Sequence, residues 1–315
     1  MVTSNVDMRD AFFDSLYEYV SSDKNVIILT ADHGAFGLNK IREEFPEQYL
    51  NTGASEQNAI SVAAGLASSG KKVYVYAINN FVSMRVLEQI NIDICSQNLD
   101  VNIVGVGAGF TYSTDGPTHQ GLQDMSVMSN LPNMEVYNVT DEFSTIEIVN
   151  ISYLKKSPKY LRIEKGILPK LYNSKSFSNT GISNLIESES DYIVISTGYM
   201  TQICKKSIDR MRKGGGLFPG LFDMYKISPI DQDALYEVCK GKKVIIVEEN
   251  LRSGGIGEKI TSILKLKNHS HACDVFAVKD GFYFKFETSR DNIHKKLNMD
   301  ASGIYRKIAS FIERF

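Results

Sequence analysis

Short, uninterrupted apolar runs alternate with helical patterns along most of this chain. The runs Val26–Thr30, Val73–Ile78 and Val101–Val106 are rich in β-branched side chains. Runs of this kind are typical of strands buried on both faces of a sheet. Stretches with a helical spacing of apolar residues, such as Arg9–Ser21 and Glu56–Ser69, precede or separate them. Strands separated by helices need crossover connections, so the pattern predicts an α/β fold with a mostly parallel sheet.

The length and a change in composition predict two domains. At roughly 100–200 residues per domain, a chain of 315 residues has room for two. Residues 169–190 are polar and show no sustained period, so we predict a linker there. We expect domains at 1–168 and 191–315, each a mostly parallel twisted sheet flanked by helices.

Charge and cysteine content narrow the classes of function. Thirty-five Lys and Arg against thirty-seven Asp and Glu give a net charge of −2, which excludes a nucleic-acid binder that relies on bulk positive charge. No apolar run approaches the roughly 18 residues of a membrane span, and the first residues lack a signal-peptide pattern. Cys95, Cys204, Cys239 and Cys273 are widely spaced, so we expect reduced thiols and a cytoplasmic location. The GxGxxG, Walker A and GxSxG motifs are missing from the sequence.

Two segments are candidates for chemistry. In NTGASEQNAISVAAGLA (51–67), Glu56 opens an Ala-rich helix after a Gly-Ala-Ser turn. A carboxylate there complements the helix dipole, so a capping role and a binding role both stay open. In TYSTDGPTHQGLQD (111–124), Asp115 and His119 stand in a polar loop after a strand. Such loops are common ligand sites in α/β sheets, although a lone loop histidine is also common on protein surfaces.

Other candidate side chains adjoin the predicted strands. Asp32 and His33 directly follow the first apolar run, at the expected mouth of the sheet. The remaining candidates each have an ordinary structural alternative, which is core packing for the apolar residues and an ion pair for the arginines: Phe81, Met84, Arg9 and Arg162.

Three segments, GASEQNAISVAAGLA, NFVSMRVLEQ and STDGPTHQGLQD, resemble the carboxyl-terminal half of transketolase, in the family's order and spacing. The chain is more closely similar to the shorter subunit of split transketolases, and more distantly to 1-deoxyxylulose-5-phosphate synthase. The resemblance implies a pyrimidine-binding domain followed by the family's C-terminal domain. It also implies a transferase that uses thiamine diphosphate and Mg²⁺ to move a two-carbon ketol unit between sugars.

The resemblance assigns roles toward the cofactor. Glu56 corresponds to the glutamate that hydrogen-bonds the aminopyrimidine ring of thiamine diphosphate. That contact favours the imino form, which removes the C2 proton of the thiazolium. Phe81 corresponds to an aromatic residue that packs on the pyrimidine ring. Met84 stands where a second aromatic is usual, so the stack is altered. Asp32 lies where the family places an aspartate near the cofactor.

The resemblance also assigns roles toward the substrate. Asp115 corresponds to an aspartate that recognises a substrate hydroxyl, and His119 to a histidine that reaches the substrate channel and assists proton transfer. Arg9 and Arg162 correspond to arginines that hold the phosphate of sugar phosphates. We add His33 as a substrate-binding candidate from its place at the mouth of the sheet.

Two departures concern substrate and partner. Transketolases have a histidine where this chain has Gly107, so the acceptor could be a modified, nucleotide-linked or carboxylate-bearing sugar. The chain also lacks the GDG motif that holds the Mg²⁺ and the diphosphate. The resemblance therefore predicts a separate diphosphate-binding subunit that holds Mg²⁺, in an α2β2 heterotetramer, with Glu56 reaching across to the shared cofactor.

Two other functions stay open. The chain could be the β subunit of a 2-oxo acid dehydrogenase, because that subunit also lacks the diphosphate motif. That family does not carry DGPTHQ, which argues against this alternative. It could also be a non-catalytic scaffold subunit that kept the fold. The joint presence of Glu56, Phe81, Asp115 and His119 argues against the scaffold.

Overall fold

The computed structural model describes residues 6–284 and 289–315. Its strands are β1 (Val26–Thr30), β2 (Tyr49–Asn51), β3 (Lys72–Ile78), β4 (Val101–Val106), β5 (Glu135–Asn138), β6 (Lys159–Ile163), β7 (Ile182–Ile186), β8 (Tyr192–Ser196), β9 (Gly220–Met224), β10 (Lys226–Ser228), β11 (Lys243–Leu251) and β12 (Cys273–Val278). Its helices are α1 (Met8–Ser22), α2 (Phe36–Glu44), α3 (Glu56–Ser68), α4 (Leu87–Gln89), α5 (Asp124–Met128), α6 (Glu142–Leu154), α7 (Tyr199–Lys213), α8 (Gln232–Cys239), α9 (Ile256–Leu266), α10 (Arg290–Leu297) and α11 (Ala301–Arg314).

The first sheet has the strand order β10-β5-β6-β4-β3-β1-β2. All neighbours are parallel except β10, which pairs antiparallel with β5. Strands β4 and β6 are buried along their whole length, because helices cover the sheet. This confirms the α/β fold with a mostly parallel sheet, and it brings the carboxyl ends of β1, β3, β4 and β6 to one edge.

The second sheet has the order β12-β11-β8-β9-β7, with only β7 antiparallel. Its core joins apolar residues of β8 and β11 to α7 and the last helix, α11. The structure differs from the predicted linker at 169–190, because Ile182–Ile186 form β7 of this sheet. The two sheets are also interlinked, since β10 follows β9 directly yet extends the first sheet.

The helical segment between β3 and β4 is irregular. It runs as a 3₁₀ turn (Met84–Val86), the short α4, and a π-helix (Ile90–Cys95). Irregular helices of this kind are frequent at functional sites. This one begins just after Phe81, which the sequence places in the candidate site.

No helix within residues 6–284 and 289–315 combines the length and the apolar character that a membrane crossing requires.

Candidate functional site

Four loops meet at the carboxyl edge of the first sheet. The loops after β1, β3, β4 and β6 carry His33, Phe81, His119 and Lys165 in turn. The ring centroids of Phe81 and His119 are 5.0 Å apart. Lys165 and His119 both lie close enough to His33 to interact with it electrostatically. The edge therefore brings together residues that are more than 130 positions apart in the chain.

Glu56 is the buried, acidic half of an ion pair at this edge whose basic partner, Arg85, is about half exposed. It is the first residue of α3, where the helix dipole favours a carboxylate, and its side chain is only 6% exposed. Its Oε2 accepts a hydrogen bond from Arg85 Nη1 at 2.8 Å. The Arg85 guanidinium in turn lies 3.9 Å from the ring centroid of Phe81. Glu56 and Phe81 thus contact the same planar cation, Glu56 through a hydrogen bond and Phe81 through its ring face.

Asn80 fixes the loop that carries His119. Its side-chain amide donates to the backbone carbonyls of Pro117, Thr118 and Gln120 at 3.0–3.3 Å. The Thr118 hydroxyl pairs with His119 Nδ1 at 2.9 Å. The loop holds its shape through these contacts, and Nε2 is the ring atom of His119 left for a ligand.

The side chain of Arg9 is held in place by Asp7, the residue that caps the same helix. Asp7 is the N-cap of α1, and its two carboxylate oxygens accept from Arg9 Nε and Nη2 at 2.9 and 3.0 Å. Tyr76 and Tyr112 lie within electrostatic reach of the guanidinium. Burial raises the pKa of both phenols, and the charge of Arg9 opposes that rise.

His33 and Lys165 complete a polar group around Arg9 and Tyr112. Burial lowers the pKa of His33, and the charges of Arg9 and Lys165 lower it further. The Nε2 atom of His33 is buried and makes no hydrogen bond with any described residue. Lys165 Nζ lies 5.0 Å from the ring centroid of Tyr112. We call Arg9, His33, Tyr112 and Lys165 the edge cluster.

Arg162, the second arginine expected to hold a substrate phosphate, does not belong to the edge cluster. Its side chain is 3% exposed. Its Nε donates to Asp124 at 2.8 Å, Nη1 to Asn138 at 3.3 Å, and Nη2 to the Gly121 carbonyl at 2.6 Å. Each of its three nitrogens therefore has a partner inside the protein, and the near-complete burial of the side chain leaves little of the guanidinium accessible to a ligand.

The other predicted residues lie at the rim. Asp32 is exposed and has a positive φ of 55°, and its backbone N–H donates to Asn51. Asp115 is exposed in the loop, and Met84 is 38% exposed beside Arg85. They border the open side of the site, whereas Glu56 lies at its buried side.

Sequence reasoning missed Asn80, Arg85 and Lys165. Lys165 is three residues after Arg162 in the sequence. It reaches the edge because it lies beyond Ile163, the last residue of β6. Asn80 and Arg85 flank Phe81 in the segment NNFVSMR. Within the described residues, no group of three or more His, Cys, Asp or Glu is placed to hold a metal ion.

Fold and site together define the class of two-domain α/β proteins whose polar site lies at the carboxyl edge of the first sheet. Comparison with known proteins then identifies the family. The transketolase pyrimidine-binding domain matches residues 4–170, and the transketolase C-terminal domain matches residues 181–304. The chain belongs to the transketolase family, which depends on thiamine diphosphate.

Several relatives are named as subunits of their enzymes. One such subunit, from the apulose-4-phosphate transketolase of Phocaeicola vulgatus, is 30% identical over 267 residues, covering 84% of this chain and 85% of that protein. The 6-deoxy-6-sulfo-D-fructose transketolase subunit SqwH of a Clostridium species is 26% identical, covering 82% and 80%. The more distant resemblance is also confirmed: a 1-deoxy-D-xylulose-5-phosphate synthase of Dehalococcoides mccartyi is 28% identical, and the alignment covers 96% of this chain and 47% of that enzyme.

A solved structure has the same fold. It is described as a split gene transketolase in an inactive β4 tetramer, and it superposes with a TM-score of 0.85 at 25% identity, covering 97% of this chain and 98% of that one. The likeness extends over both domains, so the fold and the split-transketolase resemblance are confirmed.

Proposed function

We propose that this chain is the pyrimidine-binding subunit of a two-subunit, thiamine diphosphate-dependent transferase. The enzyme would move a two-carbon ketol unit from a ketose to an aldehyde or ketone sugar. The observation that carries the proposal is the buried Glu56 carboxylate, bound at 2.8 Å by a planar cation that stacks on Phe81.

The Arg85 guanidinium shows what kind of group Glu56 and Phe81 can bind together. It is flat, it is positively charged, it donates an N–H to Glu56, and it covers the face of Phe81. A protonated aminopyrimidine ring offers a flat face and an N–H in the same arrangement. The residues therefore fit the pyrimidine end of thiamine diphosphate. Arg85 has 47% of its side chain exposed, so it has space to turn outward when that ring enters.

Glu56 and His119 would then handle protons. Glu56 would share a proton with a pyrimidine ring nitrogen, and its burial strengthens that hydrogen bond. When bound, thiamine diphosphate supplies the nucleophilic carbon that attacks the ketose carbonyl. His119 Nε2 would exchange a proton with a substrate oxygen, because Thr118 already engages Nδ1. Asp115, exposed on the same loop, would accept a hydrogen bond from a substrate hydroxyl.

A partner protein would hold the other end of the cofactor. The chain has no GDG motif, and its described residues include no cluster suited to Mg²⁺. Two relatives are named as transketolase subunits, and the solved β4 tetramer is described as inactive. We propose an α2β2 heterotetramer in which the partner binds Mg²⁺ and the diphosphate, with Glu56 contacting the cofactor at the interface.

The edge cluster would receive the charged end of the sugar. Arg9 and Lys165 supply positive charge there, and His33 supplies an unpaired ring nitrogen. The names of two relatives specify a phosphate and a sulfo group on their sugars. We therefore propose a ketose with an anionic terminus as substrate.

The thiols support a reducing compartment. Cys95, Cys204 and Cys239 are buried and Cys273 is partly buried, all four as free thiols. Burial raises the pKa of each of them to about 11 or 12, so they are poor nucleophiles. We propose a cytoplasmic location on this basis.

The test is reconstitution with the diphosphate-binding subunit, followed by an assay of ketol transfer with Mg²⁺ and thiamine diphosphate. We predict that Glu56→Gln lowers kcat by about 100-fold or more, because an amide shares a proton poorly with the ring nitrogen. Heterotetramer assembly, measured by analytical ultracentrifugation, stays intact. Glu88→Gln, on the exposed face of α4, is the matched control. Near wild-type turnover in Glu56→Gln would refute the assigned role.

A further inference from the structure

The ring of Tyr112 lies directly against the backbone of Gly107. A Cβ atom at Gly107 would stand 2.2 Å from Tyr112 Cε2, and Gly107 has a φ of +95°. Position 107 therefore has neither the space nor the backbone conformation for a side chain. Tyr112 fills that volume instead, and the ring is 9% exposed. One side of the Tyr112 ring therefore packs against the backbone at Gly107, the residue directly after β4.

The hydroxyl of Tyr112 is buried but makes no hydrogen bond with any described residue. Three buried tyrosines of the first sheet have partners: Tyr74 pairs with Ser152 at 2.9 Å, Tyr137 with Glu135 at 2.8 Å, and Tyr160 with Asp124 at 2.9 Å. The hydroxyl of Tyr76, near Arg9, shares with Tyr112 the lack of a partner among the described residues. A buried hydroxyl without a partner is costly, so a ligand or an ordered water is expected to pair with it.

Charges of both signs surround this hydroxyl. Arg9 acts on it electrostatically, and Asp115 and Asp7 act in the opposite sense. Asp7 already pairs with Arg9 through two hydrogen bonds, whereas Lys165 Nζ lies 5.0 Å from the ring centroid of Tyr112. His33 Nε2 is another buried polar atom here without a partner among the described residues. An anion placed here would pair with these unpartnered groups and offset the charge of Lys165.

We infer that Tyr112 determines substrate specificity by donating its hydroxyl hydrogen to a terminal tetrahedral oxyanion of the sugar, held between Arg9 and Lys165. The ring closes the floor of this subsite over Gly107 and so limits how deep the oxyanion enters. The oxyanion is a phosphate ester or a sulfonate, since both present three oxygens at tetrahedral angles. The inference rests on the proposed function for the identity of the sugar, but the anion site is testable by itself.

The first experiment measures anion binding to the full chain. The dissociation constants of inorganic phosphate and methanesulfonate are obtained from the rise of Tm with anion concentration. Tyr112→Phe keeps the ring and removes the donor, so we expect at least one of the two anions to bind about 10-fold more weakly than in wild type. The anion that binds wild type more tightly identifies the phosphate ester or the sulfonate as the substrate group.

The same variant separates a binding role from a structural one. Without anion, Tyr112→Phe should be at least as stable as wild type, because no hydrogen bond is lost. Tyr74→Phe is the matched control: it loses its bond to Ser152, so its Tm falls while its anion affinity stays unchanged. A Tyr112→Phe variant that is less stable but binds anions normally overturns the inference, and so does a wild-type chain whose Tm neither anion raises.

The second experiment uses the reconstituted enzyme. For a ketose with the preferred anionic group, Tyr112→Phe should raise KM about 10-fold and leave kcat within twofold, because the contact forms equally in the ground and transition states. KM for a ketose without that group should not change. If ketol transfer is absent but anion affinity responds as expected, the proposed function fails and the inference stands. If transfer occurs and KM does not respond, the inference fails alone.

Discussion

Two polar clusters of this chain lie at the ends of strands, and they differ in how many of their polar atoms have hydrogen-bond partners. The edge cluster leaves the Tyr112 hydroxyl and His33 Nε2 without partners among the described residues. The second group, which we call the bridging cluster, consists of Glu164, Glu249, Arg290 and His294. There Arg290 Nη1 and Nη2 donate to both oxygens of Glu164 at 2.9 and 3.1 Å, and Arg290 and His294 both contact Glu249.

The bridging cluster connects the two domains. Glu164 follows β6 of the first sheet, whereas Glu249 lies in β11 of the second, and both side chains are almost fully buried. Burial alone would raise the pKa of Glu249, but the charges of Arg290 and His294 outweigh it and lower the pKa to about 2. Every charge in this group is offset within the protein. The bridging cluster thus pairs its charged groups within the protein, whereas the edge cluster keeps two buried polar atoms without partners among the described residues.

The largest expected effect is on stability, in the bridging cluster. We predict that Arg290→Met lowers the free energy of unfolding by about 3–5 kcal/mol, because Glu164 loses its buried counter-charge and Glu249 keeps only His294. Urea unfolding measures the loss. Arg314→Met is the matched control, since Arg314 is 53% exposed in its pair with Asp274, and we expect a change within about 0.5 kcal/mol. Equal losses in both variants would remove the distinction between the two clusters.

The next effect is a pH dependence that belongs to the bridging cluster. Glu249 has a folded pKa of about 2 against an ordinary value of 4.5. Between these values the unfolded chain binds more protons, so the stability that Glu249 contributes is complete above about pH 4.5 and is lost as the pH falls toward 2. We predict that Glu249→Gln reduces the slope of the free energy of unfolding against pH in this window. The reduction is at most the slope that one proton gives, about 1.4 kcal/mol per pH unit.

Glu135 also titrates in this pH range, but it does not affect the comparison of wild type with Glu249→Gln. Burial raises its pKa, but hydrogen bonds from Lys155, Ser157 and Tyr137 lower it to about 2, and it titrates alike in wild type and in Glu249→Gln. The measurement is urea unfolding of both proteins from pH 2.5 to 6. Parallel curves would show that the pairs around Glu249 do not control its proton.

The smallest expected effect concerns Arg85 at the candidate site. Arg85 occupies the face of Phe81 and binds Glu56, so an incoming pyrimidine ring must displace it. A half-exposed ion pair and a cation–π contact contribute little. We therefore predict that Arg85→Ala tightens thiamine diphosphate binding by about 2- to 10-fold in the reconstituted enzyme. Isothermal titration calorimetry measures this, with Arg42→Ala on exposed α2 as the control. Weaker binding would mean that Arg85 itself holds the cofactor.

Much of the fold could be predicted from the sequence, because the buried strands read as continuous apolar runs. Val26–Thr30 and Val101–Val106 have the predicted bounds. The strand β7 was missed because its sequence, ISNLI, is short, mixed in polarity and lies at a sheet edge. Helix α10, RDNIHKKL, was missed because it has few apolar residues to show a period.

The site was predictable only where a motif marks it. Glu56, Phe81 and His119 do meet at one edge. Lys165 and Asn80 stayed hidden, because their roles depend on which loops fold together. The burial of Arg162 could not be predicted either: it lies inside β6, whose five residues are all buried, and its partners there come from other segments of the chain.

The central claim is that Glu56 and Phe81 form the half-site for the aminopyrimidine ring. The most direct measurement is a crystal structure of this chain with its diphosphate-binding partner, Mg²⁺ and thiamine diphosphate. We predict Glu56 Oε2 within about 2.7–3.2 Å of a pyrimidine ring nitrogen, the ring packed on Phe81, and Arg85 turned away. A pyrimidine ring bound elsewhere, with Glu56 still paired to Arg85, would contradict this claim.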